Sequence, residues 1–395
     1  MEPTARPTAT DTATGTGGPT ETTGSATGDG EPAGTDESTE TVTPTPDPAS
    51  FASWPSFMRN DENWGHHPEA VEPDGAVSVD WERDLGGSVE AAATLVNGRL
   101  FVGTAGRDGG AFYALDPTTG ETLWERDLGA PVSSAATVAN GFVYVGTDDG
   151  TLHALEARSG DGFWQFGLRS GEAVAPPVVV GGAVYAGTSV GQLYKFDALD
   201  STQRWTRRVS GSVVVAPAYA DGTLYVPSEN AAVYAVSTTG EETWRNAVDD
   251  DGVGVSHRNR RVYATGGTTL EQTNVRGRRN WSTSVDAQFT TTPTVTATTV
   301  LAGTRTGAVH AFEADSGIER WRFAEPSGPV SAPAVVVDRT AYVGSEDGTV
   351  YAVGIADGEA TWSLETGAAI TAAPVVAGGR VFLGNDDGTL YALAN

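Results

Sequence analysis

Across residues 76–395 of this 395-residue chain, apolar side chains come in short runs separated by glycine, aspartate, threonine and proline. Four such runs between Trp124 and Trp164 read as strands: Ser133 to Ala139 (A), Phe142 to Thr147 (B), Thr151 to Glu156 (C) and Gly162 to Gly167 (D). The dipeptides Asp149-Gly150, Asp347-Gly348 and Asp387-Gly388 supply the positive φ of a tight turn between B and C. Strand B ends alike from unit to unit, as in Phe101-Val102-Gly103-Thr104, Tyr144-Val145-Gly146-Thr147 and Tyr342-Val343-Gly344-Ser345. Eight tryptophans keep the beat: Trp81, Trp124, Trp164, Trp205, Trp244, Trp281, Trp321 and Trp362 recur at intervals of 43, 40, 41, 39, 37, 40 and 41 residues. A four-stranded unit of about 40 residues cannot bury both faces of its own sheet, so it must stack on its copies. Radial stacking predicts an all-β fold, an eight-bladed β-propeller of four-stranded antiparallel blades; seven is the competing blade number.

Five prolines, Pro176, Pro217, Pro293, Pro333 and Pro374, stand twelve residues after a tryptophan. Proline cannot donate to a ladder, which places them in strand A with its free edge towards the central channel. The last unit supplies strands A, B and C up to Asn395, whereas Val77 to Leu85, holding Trp81, precedes the first full set. The N-terminal strand is therefore expected to be strand D of the last blade, closing the ring without a covalent link.

The run Ala114-Leu115-Asp116-Pro117-Thr118-Thr119-Gly120-Glu121-Thr122-Leu123-Trp124, with its echoes at Ala154 to Trp164, Lys195 to Trp205, Ala311 to Trp321 and Ala352 to Trp362, resembles the tryptophan-docking repeat of the pyrroloquinoline quinone (PQQ) propeller family. Trp54-Pro55-Ser56-Phe57-Met58-Arg59-Asn60 resembles the lead segment that precedes such propellers. The resemblance covers residues 54 to 395 and implies that each tryptophan packs between adjacent blades. It implies less about activity, because the family holds quinone dehydrogenases, a propeller lipoprotein of the bacterial outer-membrane assembly machinery, and surface proteins.

Composition sets the surroundings. Acids outnumber bases 51 to 24, only Lys195 is a lysine, and cysteine is absent, which excludes disulfides and thiolate chemistry. Excess carboxylate with so little lysine resembles the proteins of extreme halophiles, and a net charge of −27 disfavours nucleic acid. Residues 1–50 hold 15 threonines and almost no large apolar side chain, the composition of a disordered tether. Residues 51–75 form the lead segment and 76–395 the propeller. A Thr/Pro-rich stalk fits an extracellular or cell-surface setting. The start Met1-Glu2-Pro3 has no basic region, hydrophobic core or lipidation cysteine, so export is expected to rest on a targeting segment outside this chain, with a cytoplasmic protein as the alternative. No stretch has the roughly 20 apolar residues that span a bilayer.

A quinone dehydrogenase needs oxygen ligands for a dication, a carboxylate base and aromatic plates around the channel mouth. The channel-side stretches read Glu90-Ala91-Ala92-Ala93, Ser133-Ser134-Ala135-Ala136, Thr290-Thr291-Thr292-Pro293, Ser331-Ala332-Pro333 and Thr371-Ala372-Ala373-Pro374, with Glu90 their one ionisable group. No catalytic residue and no cofactor is expected. His153 and His310 take the strand-C place held elsewhere by Tyr113, Tyr194, Tyr234, Tyr351 and Tyr391, which points to packing, and His66-His67 reads as a solvated loop. Asp249, Asp250 and Asp251 are the one candidate metal cluster, lacking the alternating spacing of a calcium loop.

Departures from the repeat concentrate in one sector. Ala231 stands where a turn glycine belongs and Glu271 where a tyrosine does. Residues 201–280 carry ten arginines against eight acids in an otherwise acidic chain. Arg258, Arg260 and Arg261 in an A-to-B turn and Arg276, Arg278 and Arg279 in a C-to-D hairpin should emerge on one face. They are the expected partner-binding residues of a monomeric scaffold, for an acidic protein or polysaccharide. Pairing with acids of neighbouring blades is the alternative for these arginines. A PQQ-dependent dehydrogenase and a protein binding a sugar or other small ligand are the alternative functions.

Overall fold

The computed structural model describes residues 51–106, 109–168, 173–248 and 252–395. Among them lie eight sheets, each with four antiparallel strands and one with a fifth, parallel strand, and no helix, hence none long and apolar enough to cross a membrane. Blade 1 comprises Thr94–Val96, Arg99–Gly103, Ala111–Leu115 and Thr122–Asp127 as strands A to D. Blades 2 to 7 follow at 137–167, 178–208, 218–247, 252–284, 294–323 and 335–365. Blade 8 takes strands A to C from Val375–Ala377, Arg380–Gly384 and Thr389–Ala394, and strand D from Ser78–Asp84.

That borrowed strand is a genuine D strand. Its pairing with Thr389–Ala394 shifts register just before Trp81, as the C/D pairing of blade 2 does just before Trp164. Asp80 fastens it from outside: its Oδ2 lies 2.8 Å from both Nε and Nη2 of Arg380, a strand-B guanidinium almost buried in blade 8. Asn395 supplies a second tie, donating from Nδ2 to the Asp74 carbonyl at 2.8 Å.

Seven of the eight repeat tryptophans bridge to the next blade. Each of seven indole Nε1 atoms, from Trp81 to Trp321, donates to a carbonyl beside the C-to-D hairpin of the next blade, Trp124 to Ala157 at 3.2 Å for instance. In six of the seven the ring then lies on that hairpin's glycine, while the blade 3 hairpin that receives Trp164 has Ser201, at φ +55°, in place of a glycine. A Cβ added to Gly160 would stand 2.6 Å from the Trp124 ring, and φ there is +75°, so glycine is required twice over. Trp362 makes no such bond among the described residues; the adjoining blade 8 has no continuous C-to-D hairpin.

The prolines sit slightly off their expected place. Hydrogen-bonded strand A begins at Val178, Ala218, Thr294, Val335 and Val375, one or two residues beyond each proline. The prolines occupy the approach to the strand, where no ladder donor is needed.

Candidate functional site

Strand A pairs on one side only, with strand B, and so presents a free inner edge towards the channel. The lead segment takes up this edge. The Trp54 carbonyl accepts from Leu95 N–H of blade 1 and the Pro55 carbonyl from Val138 of blade 2. Those of Asp61, Glu62, Trp64 and Gly65 accept from Tyr219, His257, Val295 and Val336 of blades 4 to 7, at 2.5 to 2.8 Å. His66–His67 continues as a parallel strand on Val336–Val337, and the Val71 carbonyl accepts from Gly379 of blade 8. Trp54 Nε1 closes the circuit on the Val376 carbonyl at 2.9 Å. The segment thus runs once round the A-to-B end of the channel in blade order.

Buried side chains hold it there. Trp54 and Met58 are 2% exposed. Asn63, equally buried, donates from Nδ2 to the carbonyls of Ala216 (3.0 Å) and Val255 (3.2 Å). The histidine pair is therefore an element of the seal and corrects the solvated-loop reading: His67 is buried and packs at a tilt against Trp54, ring centroids 5.6 Å apart. An extended dipeptide satisfies the bare strand edge, which a free loop does not. Burial, then nearby arginines, lower His66 to about 4; burial, then Arg59, do the same for His67. Asp61 moves the other way, to about 6, through burial and then Glu62.

Beyond Phe57 the channel opens at its other end as a cavity of about 260 Å3, lined mainly by alanine, serine, threonine, valine and proline, with Glu90 its one ionisable group. Glu90 accepts from Ser88 Oγ at 2.7 Å, while Asp148, Glu346 and Asp386 accept from Ser133, Ser331 and Thr371 at the rim. A quinone with its dication needs several converging oxygens and flat aromatic walls. These residues do not fit it: one carboxylate and one aromatic ring, Phe57, line the cavity. Among the described residues no three histidine or acidic side chains are grouped to hold a metal ion. Asp249, Asp250 and Asp251 lie outside the described residues.

The six arginines of blade 5 divide. Arg258 turns inward, its guanidinium 4.2 Å from the Trp64 ring centroid and donating to the Val295 carbonyl at 3.2 Å. Arg261 pairs with Asp315 of blade 6, and Arg260 lies 3.9 Å from Asp221 of blade 4 with both side chains exposed. Arg279 Nε meets Oε2 of Glu271 at 2.8 Å, Glu271 being 2% exposed in its tyrosine slot. Arg276 and Arg278 are exposed, and among the described residues their guanidinium groups have no hydrogen-bond or ion-pair partner. The turn and hairpin that carry all six share the sealed face.

These features define a β-propeller with one closed and one open channel end. The family described as outer membrane protein assembly factor BamB matches residues 69–210, 148–269, 229–332 and 305–395, and the chain belongs to that family. The crystal structure of BamB from Moraxella catarrhalis superposes with a TM-score of 0.68 at 20% identity, covering 81% of this chain and 98% of that one. The computationally designed Ika8 protein gives 0.71 at 18%, over 79% and 98%. Quinohemoprotein alcohol dehydrogenase from Comamonas testosteroni gives 0.72 at 14%, over 86% and 80%. Identities this low carry the fold alone. Among curated proteins none matches the chain.

Proposed function

We propose that the protein is a non-catalytic propeller that serves as a binding scaffold outside the cell. The observation that carries this reading is the channel lining, methyl and hydroxyl groups in place of the donors and aromatic walls that quinone chemistry needs. Membership in a family named for outer membrane protein assembly supports partner binding as the trade of this fold. Arg276 and Arg278, unpaired on the sealed face of an acidic protein, favour an acidic protein segment or polysaccharide there.

Two measurements test the reading. PQQ with calcium ions should leave the melting temperature unchanged, since a ligand of the native state stabilises it by mass action; a saturable rise would favour the dehydrogenase reading. The double variant Arg276→Ser/Arg278→Ser should lose capture by immobilised poly-L-glutamate and polygalacturonate with unchanged melting. Capture equal to wild type would reject the face. Arg279 is left in place, because it is ion-paired with the buried Glu271 carboxylate and its loss would act on stability as well as on capture.

A further inference from the structure

Five blades carry a tyrosine on strand C facing the groove before them; in three of these the phenol reaches the preceding blade, whereas Tyr351 Oη donates to Asp347 of its own blade. Tyr113 Oη donates to the Leu85 carbonyl of the preceding blade at 3.0 Å, Tyr391 Oη to that of Thr366 at 3.2 Å, and Tyr234 Oη accepts from Ser210 N–H at 3.2 Å. The phenol both fills the groove and bridges it. In blades 2 and 6 the slot holds histidine, a shorter side chain, and cavities open there of about 260 and 450 Å3. His310 turns to its own blade, Nδ1 lying 2.8 Å from Glu319 Oε1. His153 does not: the residue is 6% exposed and its Nε2 is buried without a partner. Leaving a buried polar atom unpaired is unfavourable, so such atoms call for an explanation.

Two more departures from the repeat meet in this groove. Two residues beyond its docking tryptophan, blade 4's preceding neighbour carries Arg207, tied to Glu242 at 2.8 Å, and Arg83 of blade 8 donates to Thr122 at 3.3 Å. Arg126 is their equivalent, and the partner position in blade 2 is Gly162, which has no side chain; an added Cβ would lie 3.7 Å from Arg126 Nη2. Arg126 is exposed and has no hydrogen-bond or ion-pair partner among the described residues. The neighbouring Phe163 stacks on Phe142, centroids 4.3 Å apart, yet stays 41% exposed. Gln165 adds an amide, and Asp127, the one acid in the lining, already accepts from Gly129 N–H at 2.8 Å.

We infer that the groove between blades 1 and 2 is a binding site for a single-ring anionic sugar, a uronate, with its carboxylate on Arg126, its apolar face on Phe163 and its hydroxyls towards His153 and Gln165. A volume of about 260 Å3 suits one ring, lying below the roughly 300 Å3 at which pockets for drug-sized ligands begin. Burial, ahead of the opposing Asp149 and the Arg126 charge, lowers the His153 pKa and keeps the imidazole neutral, able to donate from one nitrogen and accept at the other. A planar aromatic carboxylate such as benzoate lacks the hydroxyls for these groups, and a neutral sugar such as glucose lacks the carboxylate for Arg126. The site is independent of the arginine face proposed above.

Saturation-transfer NMR with sodium D-glucuronate tests it at fixed ionic strength. Wild type should show saturable transfer, and Arg126→Gln should weaken it about tenfold or more, as expected for a charge-assisted bond. His153→Tyr restores the phenol of the other blades, and Gly162→Glu restores an acid beside the arginine; each should abolish transfer while melting stays level or rises. Arg276→Ser/Arg278→Ser should leave it intact, which separates this site from the sealed face. Absence of transfer to wild type, binding of glucose or benzoate as tight as glucuronate, or transfer persisting in both restoring variants would overturn the inference.

Discussion

The two ends of the channel are built from the same eight repeats and differ in almost every physical respect. At the A-to-B end, backbone carbonyls of one segment cap seven of the eight blades in turn, counting Val71 on blade 8, and the Trp54 indole and Asn63 amide reach the strand-A carbonyls of Val376 and Val255. At the other end, hydroxyls and carboxylates pair within single blades and face water. Identical strand edges are thus either structural or available for binding, and the choice is made by a segment outside the repeat.

Substitutions should separate the two ends, with the largest loss at the seal. Trp54→Ala is expected to cost about 3–5 kcal/mol in denaturant unfolding, the range for a buried aromatic. Asn63→Ala removes two buried hydrogen bonds and leaves an alanine at φ +57°, where asparagine is tolerated, and should cost about 1–3 kcal/mol. Equal stability of either variant and wild type would show the seal to be ornamental.

Acid should loosen the same end. His66 and His67 titrate near 4 when folded and near 6.5 when unfolded, so between these values the unfolded chain binds more protons and stability is lost as pH falls. Asp61, raised to about 6, opposes this between pH 6 and 3.8, one group against two. Melting should fall on going from pH 7 to 5, and less so in His66→Asn/His67→Asn; an equal fall would place the acid sensitivity elsewhere. At the open end effects are small or reversed. Thr371→Ala, which breaks an exposed pair with Asp386, should stay within about 0.5 kcal/mol. Ala231→Gly should stabilise by up to about 1 kcal/mol, because Ala231 holds φ +55° in a B-to-C turn, and this is read as a higher denaturation midpoint.

Much of the disc was legible because its signals are side chains on a period: the docking tryptophans, the Asp-Gly turns, and Trp81 in a strand lacking its own blade. The seal was not. Its hydrogen bonds run between backbone groups, so residues 51–75 show little of where they go, and His66-His67 looks like a solvated dipeptide until the bare edge of Val336–Val337 is beside it. The arginines of blade 5 were visible as a local excess of charge, whereas their partners Asp221 and Asp315 lie on neighbouring blades at separations that no local pattern marks. His153 was visible as a departure from tyrosine; its meaning depends on Gly162 and Arg126 meeting it across two blades.

Strand Ser78–Asp84 also imposes a timetable. Ser78 Oγ and the Ala394 carbonyl it reaches are 316 positions apart, so the edge that completes the ring is made early and its partner last. At about 5–20 residues per second of synthesis, the strand waits roughly 15–60 s for that partner. An idle strand of Val, Trp and Ser alone would invite pairing with other nascent chains. Asp80, Glu82, Arg83 and Asp84 place four charges among its seven residues, the kind of edge that repels strangers. Asp80 then finds Arg380 only when the final blade exists. The same carboxylate that guards the waiting strand becomes the clasp that ends its wait.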